Sequence, residues 1–162
     1  MSADYAGAIA AIKQKAIDGW AANNEDPDVL TFINEGDPKQ ADENGNPVIW
    51  VLIEIVSGQS YINGSGTAGH QVIVYPGMIK AHVFAPTGSG VGESTGALAK
   101  ALAIGEIFRN QLFYNGVTDG CYVRSGYDRN GPPRISDGDV SSDDGQWFTV
   151  SVTIPFEYWH RG

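Results

Sequence analysis

The residues best placed for chemistry form a glycine-rich segment, PTGSGVGES at 86–94, which lies between a predicted strand and a predicted helix. A strand, a glycine-rich loop and a helix in that order are the setting of a phosphate-binding loop. Aligning the Walker A pattern, G-x-x-x-x-G-K-[ST], on Gly92 places Thr87 at its first glycine and Glu93 at its lysine. A carboxylate at that position would repel the phosphates that the lysine normally binds. The segment therefore predicts a loop and a helix start, with no bound nucleotide or other cofactor.

A second set of polar side chains is acidic and lies nearer the C-terminus. Its members are Asp137, Asp139, Asp143 and Asp144. The calcium-loop pattern D-x-[DN]-x-[DN]-G-x5-E is not met, because Ser142 occupies the glycine position and Phe148 occupies the position of the bidentate glutamate. The three histidines, His70, His82 and His160, have no metal-ligand spacing. We therefore expect a solvated acidic loop and no metal site.

Side chains that could serve as nucleophiles or bases are isolated in the sequence. The chain has no G-x-S-x-G nucleophile elbow. Cys121 is the single cysteine, which excludes an intramolecular disulfide and fits a reducing compartment. It would meet a histidine only through tertiary packing, so a half-buried structural thiol is expected. Glu54 lies in an apolar run without an acid or base near it in sequence, and it too is expected to be structural. These observations predict a protein that is not an enzyme.

Composition indicates a soluble globular protein with an acidic surface. The 162 residues predict a single domain, 1–162, and 42% hydrophobic and 18% charged residues are typical of such a domain. The formal net charge of −9 disfavours free nucleic acid as a tight partner, since phosphate binding needs a basic footprint. Acidic side chains keep a protein soluble, and they can also line a channel through which DNA passes. The N-terminus lacks the features of a signal peptide, and no apolar run approaches the roughly 20 residues of a spanning helix, so we expect no membrane contact.

Two helices are predicted from apolar residues spaced three and four apart. The first spans Asp4 to Trp20, and its apolar stripe comprises Tyr5, Ile9, Ile12, Ala16 and Trp20. The second spans about Ser94 to Leu112, with Ser94 or Thr95 as its cap. Its buried stripe is expected to comprise Leu98, Leu102, Gly105, Phe108 and Leu112.

Strands are predicted where β-branched and aromatic residues alternate or cluster. They lie at Val29–Ile33, Val48–Val56, Gln71–Tyr75, continued after a break at Pro76-Gly77 by Met78–Phe84, then at Cys121–Ser125 and at Phe148–Tyr158. A further candidate strand, around 134–136 in an otherwise loop-like segment, is not counted in the order given below. The apolar run at Val48–Val56 indicates a central strand covered on both faces. The last strand alternates, with apolar residues at 148, 150, 152, 154, 156 and 158 on one face. The order α-β-β-β-α-β-β favours an α+β fold, with two helices packed on a largely antiparallel β-sheet and long loops.

Four segments carry a resemblance to a known family. They are the N-terminal helix AIAAIKQKAIDGW, the strand VIWVLIEIV with Trp50, the unit GMIKAHVFAPTGSGVGESTGALAKALAIGEIF, and the terminal strand GQWFTVSVTIPFEY. The most specific features are the apolar strand, Pro86, glycine loop and LA-rich helix of the third segment, and the ending IPFEY. In this order the segments resemble the tail-terminator-like proteins of long-tailed phages and related prophage elements. The chain departs from that family in two long acidic insertions, at 34–47 and 126–145.

The resemblance implies a structural virion protein that caps the completed tail tube as a ring, commonly of six subunits, and offers a joining surface to the head-side connector. The implied partners are further copies of the chain, the tail tube protein and the connector (stopper) protein, with DNA passing the lumen without specific binding. Such a protein is made in the cytoplasm of the bacterial host and ends in the tail-neck region of the virion. The expected assembly contacts are Gly88, Ser89, Gly90, Glu93, Asp137, Asp139, Asp143 and Asp144.

Two other interpretations fit the same sequence. One is another head–tail connector or neck protein, which differs from a terminator only in its partner. The other is a small ligand-binding module or enzyme that uses the Gly88–Gly92 loop, and this interpretation predicts that a ligand stabilises the monomer.

Overall fold

A computed structural model describes residues 2–64, 66–67, 69–86, 96–126, 133–140 and 147–162, with the backbone alone described at 136–140. The α-helices are α1, Tyr5–Ala22, and α2, Ala97–Phe108, and a short 3-10 helix spans Pro27–Val29. The strands are β1 Leu30–Phe32, β2 Trp50–Ser57, β3 Tyr61–Asn63, β4 Val72–Pro86, β5 Gln111–Phe113, β6 Tyr122–Ser125, β7 Arg134–Val140 and β8 Trp147–Arg161. The protein is therefore a mixed α/β fold with two described helices.

The eight described strands form one sheet of order β1-β2-β4-β8-β6-β5, with β3 paired to β4 and β7 paired to β8. β1 and β2 run parallel, and the other described pairs are antiparallel. The two central strands, β4 and β8, pair along their whole length of 15 residues. The predicted pair of helices and largely antiparallel sheet are confirmed. The predicted element order is not confirmed exactly, because β3 and β5 are additional.

Both helices lie on one side of the sheet and cover its apolar face. α2 packs on β4 and β8, and α1 packs on α2 and β8. The alternation predicted for the last strand is confirmed, because its inward side chains are at most 2% exposed from Val150 to Tyr158. From β4, the predicted shared face of Ile79, Ala81 and Val83 is fully buried as well. The hydrophobic core is the layer between this face and the two helices.

α1 begins after Asp4, whose side chain accepts a 2.6 Å hydrogen bond from the backbone N–H of Gly7 and caps the helix. Its buried residues are Ala8, Ile12, Ala16 and Trp20, so three members of the predicted stripe are in the core, while Tyr5 and Ile9 are half-buried. The helix continues two residues past its predicted end. Close contact with α2 occurs at Gly19, where a Cβ would lie 2.7 Å from the side chain of Ile107.

α2 is shorter than predicted at its C-terminal end. It ends at Phe108, and Asn110 then adopts a positive φ of 50° that turns the chain into β5. Arg109 already leaves helical geometry with a ψ of 122°, and asparagine tolerates the left-handed conformation that follows better than most residues, so the helix ends where apolar spacing alone predicts continuation to Leu112. At the other end, Gly96 occupies the N-cap position without a side-chain cap. The predicted caps Ser94 and Thr95 lie outside the described residues.

The face that α2 buries also differs from the prediction. Its buried residues are Ala97, Ala101, Ile104, Gly105 and Phe108. Leu102 and Leu112 are 50% and 47% exposed, so their predicted burial is wrong. Small residues face the sheet because they let the helix approach it closely. At Gly105, a Cβ would lie 3.2 Å from Pro133 Cβ, which is tight, and 3.5 Å from the side chain of Val152 on β8, which is ordinary contact.

β4 is one continuous strand, so the predicted break at Pro76-Gly77 is wrong. The carbonyl of Pro76 accepts a 2.8 Å hydrogen bond from the N–H of Gly58, in the connection between β2 and β3. The missing N–H of Pro76 therefore faces this gap in the edge strands, and pairing with β8 is retained. At Gly77 a Cβ would lie 2.5 Å from Phe156 Cζ, so glycine makes room for that buried ring.

β2 is covered on one face, contrary to the prediction that both faces are covered. Val51 and Ile53 are at most 1% exposed, whereas Leu52 and Glu54 between them are half-buried and Val56 is 43% exposed. The residues of the apolar run at Val48–Val56 are therefore buried on one face of β2 and form a partly exposed apolar surface on the other.

Candidate assembly surface

The side of the sheet opposite the helices, called the outer face from here on, has no described helix over it. Its residues alternate along three adjacent strands: Trp50, Leu52, Glu54 and Val56 on β2, Met78, Lys80, His82 and Phe84 on β4, and Trp147, Thr149, Ser151 and Thr153 on β8. Each of these side chains is half-buried or exposed. Most are aromatic, aliphatic or hydroxyl groups, and the ionisable side chains among them are Glu54, Lys80 and His82. The outer face is a broad and weakly charged surface.

Three polar side chains form a row across the middle of the outer face. His82 Nδ1 lies 2.7 Å from Ser151 Oγ, and His82 Nε2 lies 3.1 Å from Glu54 Oε1. The side chains of His82 and Glu54 are 27% and 29% exposed. A carboxylate, an imidazole and a hydroxyl in contact are the components of a nucleophilic triad. The row is therefore the strongest catalytic candidate among the described residues.

The surroundings of this row lack the other parts of a hydrolytic site. In a serine triad the hydroxyl contacts Nε2 and the acid contacts Nδ1, which is the reverse of the contacts at His82. Ser151 also lies within β8, which pairs with β4 on one edge and with β7 on the other. Because the backbone N–H groups around Ser151 serve the sheet, they are not directed at a developing oxyanion. We interpret the row as a cross-strand polar network that joins β2, β4 and β8.

An aromatic cluster borders this row. Trp50 stacks on Phe84 with 4.1 Å between the ring centroids, and Trp147 meets Trp50 edge-on at 5.8 Å. Within the described part of the chain, the buried Nε1 of Trp50 has no hydrogen-bond partner. A buried N–H without an acceptor costs about 1–3 kcal/mol.

A buried ion pair lies towards the far end of β8. Glu157 is 6% exposed, and its Oε2 accepts hydrogen bonds from Arg124 Nε at 3.1 Å, Arg124 Nη2 at 2.9 Å and Trp159 Nε1 at 2.9 Å. The guanidinium of Arg124 also lies 5.1 Å from the ring centroid of Trp159. Arg124 and Glu157 are direct partners in the pairing of β6 with β8. The cluster joins these two strands through a largely desolvated charge pair.

Cys121 lies beside His160, an arrangement that the sequence leaves to tertiary packing. Its Sγ is 3.9 Å from His160 Nδ1 and accepts a hydrogen bond from the backbone N–H of Arg161. The hydroxyl of Tyr158 is 2.9 Å from the same imidazole nitrogen, and burial raises the pKa of Tyr158 well above its ordinary value. The thiol is 1% exposed rather than half-buried, because the end of β8 covers it. A thiol so enclosed, beside a nitrogen already hydrogen-bonded, is suited to a structural role.

The predicted assembly contacts fall mostly outside the described residues. This applies to Gly88, Ser89, Gly90, Glu93, Asp143 and Asp144. Asp137 and Asp139 lie on β7, where the backbone of Asp139 pairs with Thr149 of β8. The acidic segment is thus in part a strand, which extends the predicted strand at 134–136 by four residues.

Sequence reasoning missed the row of Glu54, His82 and Ser151. The available signal was strand alternation, which places His82 on the face opposite the buried residues of β4 and places Ser151 likewise on β8. Alternation does not reveal that β2, β4 and β8 are neighbours, and the three residues lie far apart in the chain. Only the strand order brings them together.

No protein-family model matches this chain, and a search of curated proteins finds no significant match. Among the described residues, no group of three or more histidine, cysteine or acidic side chains is arranged to hold a metal ion. No helix in the described ranges has both the length and the apolar character needed to cross a membrane.

Proposed function

We propose that the chain is a structural protein of a phage tail, which caps the completed tail tube as a closed ring of identical subunits and offers a joining surface to the head-side connector. The observation that supports this function is the outer face, an open sheet surface that no described helix covers. Extended exposed surfaces with aromatic and aliphatic side chains are typical of protein–protein contact. An enzyme is expected instead to hold its titratable groups in a concave site.

Two further features are compatible with this proposal. The aromatic cluster of Trp50, Phe84 and Trp147 on the outer face suits contact with a neighbouring subunit, because aromatic side chains are enriched at protein–protein interfaces. The net charge of −9 suits a ring around DNA, because acidic side chains on the lumen wall repel the phosphate backbone and let it slide. The resemblance of the four sequence segments to tail-terminator-like proteins gives the proposal its biological setting.

Native mass spectrometry of the purified chain, alone and mixed with uncapped tail tubes, tests this function. We expect a ring, or binding to tube ends, with one ring per tube. Binding to the connector without binding to tubes would instead identify another neck protein. A monomer that binds neither tubes nor connector, and that a small ligand stabilises against heat, would contradict the proposal and favour a ligand-binding module.

The lumen placement of the acidic loop has its own test. Replacing Asp143 and Asp144 by lysine should slow DNA ejection or lower infectivity while leaving ring assembly intact, because lysines on the lumen wall would bind phosphates. Asparagine at the same two positions is the matched control, since it removes the charge without attracting DNA. Unchanged infectivity of the lysine variant would refute lumen placement.

A further inference from the structure

β2 and β3 act as one long edge strand along β4. β2 pairs with 77–84 of β4 and β3 pairs with 72–74, and the N–H of Gly58 bridges the gap by donating to Pro76. On its other side β2 is paired with β1 only at 51–53. From Ile55 to Asn63, no strand among the described residues lies against this edge. We call this stretch the β2–β3 edge.

The β2–β3 edge is free of the charges that usually protect exposed strands. No Asp, Glu, Lys or Arg occurs from 55 to 79, although the chain as a whole carries a net charge of −9. The edge exposes Val56, Tyr61 and Ile62, which are 43%, 45% and 56% accessible, and the adjoining Met78 of β4 is 46% accessible. A cavity of about 310 Å³ opens beside Val56 and Met78. Soluble proteins normally blunt such an edge with lysine, proline or a bulge, because an open edge templates pairing with another chain.

A second copy of this chain is the occupant that the charge pattern favours. Two acidic molecules repel each other, and an uncharged surface is where they can meet with the least repulsion. A basic partner would instead be attracted to the acidic parts of the surface. On the far side of β8 the sheet ends in β6 and β5 along 156–159 and in β7 along 148–153. β7 carries Asp137 and Asp139 and pairs with β8 alone among the described strands. Placing this acidic strand against an uncharged edge avoids like-charge contact.

Strand direction allows this contact. β4 is antiparallel to β2 and β3, β8 is antiparallel to β4, and β7 is antiparallel to β8. β7 lies level with 50–54 of β2, so a second copy in the same orientation, shifted along the strands towards β3, presents β7 antiparallel to the β2–β3 edge. The two surfaces are different, so the contact is head-to-tail, and repetition closes a ring when the rotation between copies allows it.

We propose that the β2–β3 edge of one subunit pairs with β7 of the next, so that the sheet continues from subunit to subunit. The inference rests on the proposed ring and names the strands that close it. A lysine at Ile62 places a charge in the middle of β3, at a side chain that is already more than half exposed, so the monomer fold should tolerate it.

Ile62→Lys should weaken ring formation, measured by native mass spectrometry over a concentration series, by about tenfold or more, the factor that corresponds to about 1.4 kcal/mol. Leu102→Lys is the matched control, because it makes the same kind of change at a 50% exposed position on α2, away from the edge. Circular dichroism of both variants checks that the fold is retained. If wild type forms rings and both variants assemble equally well, the edge inference is overturned while the proposed function stands. If wild type binds neither copies nor tubes, the proposed function itself fails.

Cross-linking identifies the strand that meets the edge. Variants that combine Ile62→Cys with a cysteine at one end of β7, Arg134→Cys or Val140→Cys, are treated with a short bismaleimide; native Cys121 is buried and should react slowly. We expect a ladder that extends to the full ring in at least one combination, and no ladder from the single variants. Efficient dimers from Ile62→Cys alone would show a face-to-face contact between two β3 strands and would overturn the head-to-tail arrangement. Intact rings that form no cross-links in either combination would also contradict the pairing of the β2–β3 edge with β7.

Discussion

Glu157→Gln should destabilise the fold much more than Glu106→Gln, although both carboxylates accept a 2.9 Å hydrogen bond from an arginine. The two pairs differ in burial. The side chains of Arg124 and Glu157 are 19% and 8% exposed, whereas those of Arg109 and Glu106 are 59% and 64% exposed. The comparison therefore separates the effect of burial from the effect of contact distance.

The expected loss of stability in Glu157→Gln depends on the buried arginine charge that the substitution leaves without its carboxylate. Removing one member of a buried ion pair costs about 3–5 kcal/mol, because the remaining charge loses its desolvated counter-charge. Arg124 retains some exposure and the amide of glutamine keeps one acceptor oxygen, so we expect the lower end, about 3 kcal/mol. For a chain of this length that is a fall in Tm of about 6–12 °C. The exposed pair of Glu106 and Arg109 should contribute about 0.5 kcal/mol or less.

Urea unfolding of wild type and both single variants, followed by tryptophan fluorescence and by circular dichroism, measures these differences. The double replacement Arg124→Met with Glu157→Met is a further control, since exchanging a whole buried pair for apolar side chains is often neutral or stabilising. It should be more stable than Glu157→Gln. A loss below about 1 kcal/mol for Glu157→Gln, or equal losses at Glu157 and Glu106, would refute the argument from burial.

Three more predictions concern a helix cap, a strand glycine and a loop turn. Asp4→Ala should lower stability in urea by about 1 kcal/mol through loss of the α1 cap, and Asp4→Asn should retain most of it. Gly77→Ala should cost about 1–3 kcal/mol, since its Cβ would lie 2.6 Å from a backbone oxygen of β2, whereas Gly116→Ala, with no atom within 4 Å, should be close to neutral. A hydrogen bond from the backbone N–H of Asn46 lowers the pKa of Asp42. The carboxylate therefore stabilises the fold above its unfolded pKa of about 3.9, and this contribution is lost as the pH falls through the lower folded pKa. The stability difference between wild type and Asp42→Ala should accordingly shrink on acidification from neutral pH; a constant difference would contradict it.

Periodicity predicted most of the core, because it reports which side of an element is apolar. The last strand is the clearest case, since its alternate residues from Val150 to Tyr158 are all buried. In α2 the same reasoning placed the first buried positions one residue too late in the chain, at Leu98 and Leu102 instead of Ala97 and Ala101. Large leucines were expected in the stripe, but close approach to the sheet selects alanine and glycine, so Leu102 faces outward.

Residues that usually interrupt a strand or a helix were less reliable guides to where these elements end, because their effect depends on the segments of the chain packed beside them. Proline usually ends a strand when its missing N–H would leave a partner unsatisfied. At Pro76 that missing group faces the gap between β2 and β3, so the strand continues. The end of α2 shows the opposite case, because Arg109 and Asn110 are not strong helix breakers and yet the helix ends before them, where the chain turns into β5.

The sequence by itself determined the acidic character of the chain, the two helices and the inward faces of the long strands, because these depend on composition and on periods of two or 3.6 residues. The tertiary structure alone decided which strands are neighbours, since pairing depends on contacts between distant parts of the chain. The strand order brings Glu54, His82 and Ser151 into one row and buries the Arg124–Glu157 pair. The tertiary structure also places both helices on one side of the sheet, so that no described helix covers the outer face and no described strand lies against the β2–β3 edge.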